Sequence, residues 1–65
     1  MSTAKLASEF GLRLPVQILQ SNAGWYLGSA NEAGPVSRES LEYWPRKEQA
    51  QSALNEGLWT QRNEP

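Results

Sequence analysis

The feature that most constrains this chain is that it must fold at 65 residues with neither cysteine nor histidine. A domain of about 60 residues buries only about 60% of the surface its unfolded chain exposes, so its stability is marginal. Disulfides are impossible, and the commonest zinc ligands are missing. Stability must therefore come from close packing or from self-association. Because aromatic rings bury large areas, we expect at least two of the three tryptophans, Trp25, Trp44 and Trp59, in the core.

The missing residue types also limit the chemistry that the chain can perform. Histidine and cysteine are among the commonest general bases and covalent nucleophiles. Ser37 and Ser40 therefore lack a histidine to activate them. Glu39 and Glu42 could act as an acid–base pair only in a cleft, which a thin two-layer fold scarcely forms. We predict that the protein is not an enzyme and that it has no cofactor and no metal site.

The charge balance bears on the kind of partner. The formal net charge is −1, and the six lysines and arginines are spread along the chain. Nucleic-acid-binding proteins usually have a basic excess or a basic face, so nucleic acid is disfavoured. No apolar run approaches the roughly 20 residues of a membrane span, and the first residues do not resemble a signal peptide. We expect a cytoplasmic protein that binds another protein, with a homodimer as an alternative.

Alternating apolar and polar residues predict a β-hairpin in the first half of the chain. Residues 12–20 have the period of a half-buried strand, which begins at residue 12 or just after Pro15. Residues 21–24 are typical of a tight turn, and residues 24–30 form the second strand. In this register Ile18 lies opposite Leu27, and Gln20 lies opposite Trp25. The side chain of Tyr26 then faces outward, on the opposite side of the sheet from Trp25.

The second half predicts a third strand and a helix. Residues 31–35 form a loop, and residues 36–44 are extended, with a bulge near Arg38–Ser40 that reconciles their apolar pattern. Pro45 occupies the first position of a helix that runs to Glu56, with an apolar stripe of Ala50, Ala53 and Leu54. Gly57 fits the left-handed position of a Schellman ending.

The fold class that follows is α+β, a two-layer, three-stranded antiparallel sheet with one helix packed across it, in the order β-β-β-α. Residues 58–61 could add a fourth strand, giving β-β-β-α-β. Residues 1–11 form either a short helical segment or a disordered one. The single domain spans residues 12–61, and residues 62–65 are expected to fray.

The order of aromatics in this stretch resembles that of short uncharacterised bacterial proteins of the plasmid and prophage accessory type. The similarity lies in Gly24-Trp25-Tyr26-Leu27-Gly28, Gly34-Pro35, Ser37-Arg38-Glu39-Ser40 and Tyr43-Trp44, followed by the alanine-rich helix. It covers about residues 16–61 and implies the same strand–strand–strand–helix fold. No activity comes with it. Such proteins often have threonine or serine before the helix, where this chain has Trp44-Pro45.

Tyrosine, tryptophan and arginine on the third strand suggest where a partner would bind. Partly exposed aromatics are typical anchors of protein interfaces. We expect Trp44, which ends a polar strand, to be the most exposed tryptophan. Arg38 could hold a carboxylate or phosphate through two N–H groups; the alternative is an ordinary solvated edge strand. The predicted binding surface consists of Tyr26, Arg38, Glu39, Tyr43, Trp44, Arg46 and Lys47.

Two positive charges at the start of the helix give a further hypothesis. Arg46 and Lys47 oppose the helix dipole there, and together with Arg38 they could form a small anion site. The alternative is that Glu48 or Glu42 neutralises them. The preferred function is a small non-enzymatic interaction or regulatory module. The alternatives are a nucleic-acid-binding protein that uses the sheet with Arg38, Arg46 and Lys47, and a homo-oligomeric structural protein.

Overall fold

The computed structural model describes residues 4–9 and 11–63. The three strands form one antiparallel sheet in the order β1-β2-β3, with β2 in the centre. The predicted α+β class and the order β-β-β-α are therefore confirmed, with a short helix in addition before the first strand. The elements in chain order are α1 (Lys5–Glu9), β1 (Gln17–Ser21), β2 (Gly24–Asn31), β3 (Gly34–Arg38) and α2 (Lys47–Glu56).

Both hairpins use the same turn chemistry. In Ser21-Asn22-Ala23-Gly24 the Ser21 hydroxyl accepts a hydrogen bond from the Ala23 N–H at 3.2 Å. In Asn31-Glu32-Ala33-Gly34 the Asn31 side chain accepts one from the Ala33 N–H at 2.9 Å. Such side-chain bonds stabilise a turn in the free chain as well as in the fold. The second turn is tighter than the predicted loop, so β3 begins at Gly34, and Pro35 is tolerated because β3 lies at an edge.

The register of the first hairpin is the predicted one, with Ile18 opposite Leu27 and Gln20 opposite Trp25. Leu27 is fully buried. The Nζ atom of Lys47, in the first turn of α2, lies 6.0 Å from the centre of the Trp25 ring. Since cross-strand partners point to one side, Ile18, Trp25, Leu27 and Ser29 define the helix-covered face of the sheet. The other side is called the outer face below.

The ends of α2 differ in how well the sequence predicts them. Arg46 has an extended backbone at φ −129° and ψ 145°, so it caps the helix and Pro45 lies outside it. The prediction of Pro45 at the first helical position is wrong by two residues. The Gln49 side chain accepts a hydrogen bond from the Arg46 N–H at 3.2 Å. At the other end the predicted Schellman motif is present: Gly57 has φ 68°, and Leu58 N–H donates to the carbonyl of Ala53 at 2.9 Å.

A bulge follows β3, close to where the apolar pattern requires one. The N–H groups of Glu39 and Ser40 both donate to the carbonyl of Leu27, at 2.8 and 2.9 Å. Two residues thus oppose one, which bends the strand away from β2. The chain returns at Trp44, whose N–H and carbonyl each form a 2.8 Å hydrogen bond with Trp25. The region predicted as one long strand is therefore a short strand, a bulge and a single bridge.

The last described segment lies beside this bulge. Ser40 and Gln61 form an isolated antiparallel bridge, which stands where the optional fourth strand was expected. The Arg62 N–H donates to the carbonyl of Glu39 at 2.7 Å, and the Arg62 side chain is half-buried. Residue 62 is thus fixed to the domain rather than frayed. The predicted fraying of residues 64 and 65 lies outside the described residues.

The core is small and partly polar. None of the three tryptophans belongs to it: each is half-buried, so the expectation of at least two core tryptophans is wrong. Three short strands and a helix of 10 residues are too narrow to enclose an indole ring on every side. Ala4, Leu6 and Ala7 contribute to the core, because α1 packs near β3. The fully buried side chains include Ala4, Leu6, Ala7, Leu27, Ser29, Glu39, Ser40 and Ala50.

Candidate functional site

An aromatic cluster covers the middle of the outer face. The rings of Tyr26 and Tyr43 meet edge to face, with centroids 5.7 Å apart and an interplanar angle of 66°. The guanidinium carbon of Arg38 lies 5.0 Å from the centre of the Tyr43 ring, and its Nη1 donates to the Tyr43 hydroxyl. Tyr26 does point to the outer face, yet it is only 8% exposed. The prediction of Tyr26 as a surface anchor is therefore wrong, because the side chain is buried in contact with Tyr43.

Two consequences follow for Tyr26. Its ring lies across Gly28, where an added Cβ would sit 3.0 Å from the ring atom Cε2 and would overlap the carbonyl oxygen of Ser37. Only glycine leaves room there for both the ring and β3. Burial raises the pKa of the Tyr26 hydroxyl, and the neighbouring Tyr43 raises it further, against a smaller opposing effect of Arg38.

Glu39, predicted as part of the binding surface, is fully buried. The bulge turns its carboxylate under α1, where it accepts hydrogen bonds from the Leu6 N–H at 3.0 Å and the Ala7 N–H at 3.4 Å. Ser37 Oγ donates to it at 2.6 Å and Gln61 Nε2 at 2.8 Å. Burial by itself raises the pKa of Glu39, but these four donors stabilise the charged form, and the pKa is lowered overall. Glu39 is thus a structural residue and not a binding one.

The three cations predicted to share an anion site are separated by the sheet. Arg38 contacts the outer-face tyrosine cluster, whereas Lys47 lies over Trp25 on the helix-covered face. Since Trp25 and Tyr26 are neighbours along β2, their side chains point to opposite sides. Arg46 is exposed at the cap of α2. The predicted cluster of Arg38, Arg46 and Lys47 is therefore not formed.

Trp44 lines an open groove of about 440 Å³ along α2. Trp44 pairs with Trp25, so its side chain lies on the helix-covered face, as α2 does. Leu58, the last residue of the Schellman motif, is 69% exposed at this groove. We call it the Trp44 groove; its lining residues are Trp44, Glu48, Gln49, Ser52, Ala53, Glu56 and Leu58.

A second groove, of about 410 Å³, contains two arginines. Nη1 of Arg62 donates to the backbone carbonyl of Arg38 at 3.1 Å, which holds the two residues together. Leu41, on the bulge, is 54% exposed beside them. We call it the arginine groove; its lining residues are Arg38, Leu41, Gln61, Arg62 and Asn63.

Sequence reasoning placed Arg38 and Trp44 in the binding surface but missed their partners. Residues 58–61 were expected only as an optional strand, and Arg62 was expected to fray, because neither segment has a periodic pattern around it. The exposure of Leu41 did have a sequence signal. Leu41 is at an odd position of the extended segment and Val36 at an even one, so without a bulge one of the two must face solvent. The pairing of residues 60–62 with the bulge had no local signal.

In the part of the chain that the structure describes, no group of three or more acidic side chains could hold a metal ion, and no helix is long and apolar enough to cross a membrane. In comparisons with known proteins, no family model, curated protein or solved structure matches this chain. The resemblance to plasmid and prophage accessory proteins therefore stays a prediction.

Proposed function

We propose that this protein is a small non-enzymatic interaction module that binds a short segment of another protein in the Trp44 groove. The observation that carries the proposal is the exposed, unshielded Leu58 beside the half-buried Trp44. Tryptophan is enriched among the residues that dominate binding energy at protein interfaces, and an apolar pocket beside it can seat a partner's side chain. Ala53 supplies a small apolar floor between them.

The charge of the groove indicates what the partner segment carries. Glu48 and Glu56, both exposed, lie in its lining, and none of the described lysines and arginines does. Complementary charge favours the correct partner and penalises others at an interface. The segment we propose has an apolar residue for the space between Trp44 and Leu58, flanked by lysine or arginine. As a location we propose the cytoplasm, and as an origin a mobile genetic element, both supported by the sequence pattern alone.

Selection from a random peptide library displayed on phage tests the proposal directly. We expect enriched peptides in which an apolar residue is flanked by basic residues. Leu58→Ser should weaken their binding at least tenfold without loss of folding, because Leu58 is 69% exposed. Glu56→Lys should also weaken it. Glu32→Lys, which makes the same charge change at an exposed position in the turn between β2 and β3, outside the groove lining, is the matched control.

The proposal fails if the selection enriches no sequence. It also fails if the enriched peptides bind Leu58→Ser as tightly as they bind the wild-type protein, or if Glu32→Lys weakens binding as much as Glu56→Lys does.

A further inference from the structure

In the arginine groove, the hydrogen bonds formed among the described residues do not neutralise the positive charge of the two arginines. The guanidinium of Arg38 donates to the Tyr43 hydroxyl, and that of Arg62 donates to a backbone carbonyl. Both acceptors are uncharged. Because the described bonds use only Nη1 of each arginine, Nη2 of each remains a donor, and the planar shape of guanidinium suits two-point contact with an oxyanion.

Arg38 also has a hydrogen-bond donor without a partner. Its Nε atom is buried and has no acceptor among the described residues. A buried donor without a partner costs free energy, which a small movement of the guanidinium toward an acceptor would recover. Arg38 is thus held in place by Tyr43 and has one donor, Nε, that no described residue satisfies and that only a shift of the guanidinium would bring to an acceptor.

The other charges around the groove are mixed. The Lys5 ammonium donates to the Asn63 side chain at 3.5 Å at the rim, and the buried carboxylate of Glu39 lies behind Gln61. The chain as a whole is acidic, with a formal net charge of −1, which disfavours a long polyanion such as nucleic acid. Beside the arginines, Leu41 is 54% exposed. A ligand that satisfies the groove therefore combines one oxyanion with an apolar group.

We infer that the arginine groove is a binding site for a carboxylate of a partner protein, held by Arg38 and Arg62, with an adjacent apolar side chain seated on Leu41. The carboxylate could belong to a glutamate or aspartate side chain or to a chain terminus, which have the same planar geometry. The inference is independent of the Trp44 groove, because the two grooves share no lining residue.

The test uses nuclear magnetic resonance of the whole chain, following the backbone amides and the arginine Nε–H signals. The probes are the peptides acetyl-Ala-Leu-Glu-Ala-amide and acetyl-Ala-Leu-Gln-Ala-amide, the peptide acetyl-Ala-Ala-Leu with a free terminal carboxylate, and inorganic phosphate. We expect the glutamate peptide or the free-carboxylate peptide to shift the signals of Arg38, Leu41 and Arg62, and the glutamine peptide to bind at least tenfold more weakly. Which carboxylate peptide binds more tightly identifies the source of the carboxylate.

Variants separate this site from general charge effects. Arg62→Gln and Leu41→Ser should each weaken the carboxylate peptide at least fivefold. Arg13→Gln removes the same charge from an exposed position outside the groove and should leave binding unchanged. The inference is overturned if neither carboxylate peptide binds, if the glutamine peptide binds as well, if phosphate binds more tightly than both carboxylate peptides, or if Arg13→Gln has the effect of Arg62→Gln. These results do not depend on whether the phage-selected peptides bind in the Trp44 groove. Failure of the proposed function would therefore leave this test unaffected.

Discussion

Both carboxylate oxygens of Glu39 lie 3.0 Å from the backbone nitrogen of Leu6, so a residue from the sheet caps a helix that begins 34 positions earlier in the chain, at Lys5. An isolated helix of five residues is unstable in water, because its first turn leaves N–H groups unpaired. The buried carboxylate satisfies two of these groups and interacts favourably with the helix dipole. The stability of α1 thus depends on one distant acidic side chain.

Glu39→Gln should lower the free energy of unfolding by about 2–3 kcal/mol, since hydrogen bonds to a buried charged group contribute about 1.5–3 kcal/mol and the amide adds a donor where four donors already converge. Urea unfolding at neutral pH measures the change. The matched control is Glu42→Gln, whose side chain is not fully buried and accepts from the Thr60 N–H at 2.9 and 3.0 Å, a bond that the glutamine oxygen can still accept, so it should cost less. Equal effects of the two substitutions would contradict the special role of Glu39.

Stability should fall in acid because of the same carboxylate. The pKa of Glu39 is lowered from its ordinary value of 4.5, so the folded state binds this proton less tightly than the unfolded state does. Its contribution is complete above the ordinary value and is lost as the pH drops through 4.5 toward the folded-state pKa. Glu42, whose pKa is also lowered, acts in the same direction.

Urea unfolding of the wild-type protein and Glu39→Gln at several pH values between 7 and 3 separates the contribution of Glu39 from that of Glu42. We expect the difference between the two proteins to shrink as the pH falls below 4.5. A difference that stays constant over this range would show that Glu39 does not titrate as the buried geometry requires.

Gly28→Ala should destabilise the sheet by about 2–3 kcal/mol, the upper part of the range for overpacked sites. The added Cβ would overlap the Ser37 carbonyl oxygen and press on the Tyr26 ring, so either β3 or the ring must move. Gly57→Ala is the contrasting variant: open space surrounds that position, and only the backbone angle of 68° opposes a side chain. It should cost about 1 kcal/mol. Thermal unfolding that ranks the two in the opposite order would contradict the close packing at Gly28.

The hydroxyl of the buried Tyr26 should ionise at a higher pH than an ordinary tyrosine. Because burial and the neighbouring Tyr43 raise its pKa above the ordinary value of 10.0, absorbance at alkaline pH should show a phenolate component that appears above that value. Tyr26→Phe should remove this component and keep the ring packed across Gly28. If the high-pH component persists in Tyr26→Phe, the assignment of the buried hydroxyl is wrong.

The sequence was sufficient for features that depend on near neighbours. The pairing of Ile18 with Leu27 follows from strand alternation and a short turn. The Schellman ending at Gly57 follows from a glycine after a helical run. The start of α2 was predicted two residues too early. Pro45 suits the first helical position and the position before the N-cap equally well.

The features that could not be predicted depend on contacts between distant residues. Alternation gave the side of the sheet on which Tyr26 lies, but not that the chain after the bulge places Tyr43 against it, with Arg38 on the ring of Tyr43. Glu39 looks like a solvated residue on an edge strand, since its donors at Leu6 and Gln61 are 33 and 22 positions away. The grooves were missed for the same reason: each is completed by residues after α2 that carry no periodic signal.

The contacts of Glu39 also set an order of events during synthesis. Its carboxylate accepts hydrogen bonds from both Leu6 and Gln61, so α1 can be capped once Glu39 has been made, but the buried carboxylate has all its donors only after residues 60–62 have been made. A ribosome covers the most recent part of the nascent chain, and at about 5–20 residues per second the wait is a matter of seconds. During that interval Leu6 and the other apolar side chains of the first segment are open to chaperones and proteases. Native structure in this protein is therefore expected to form after translation of the whole domain and not progressively from its first residues.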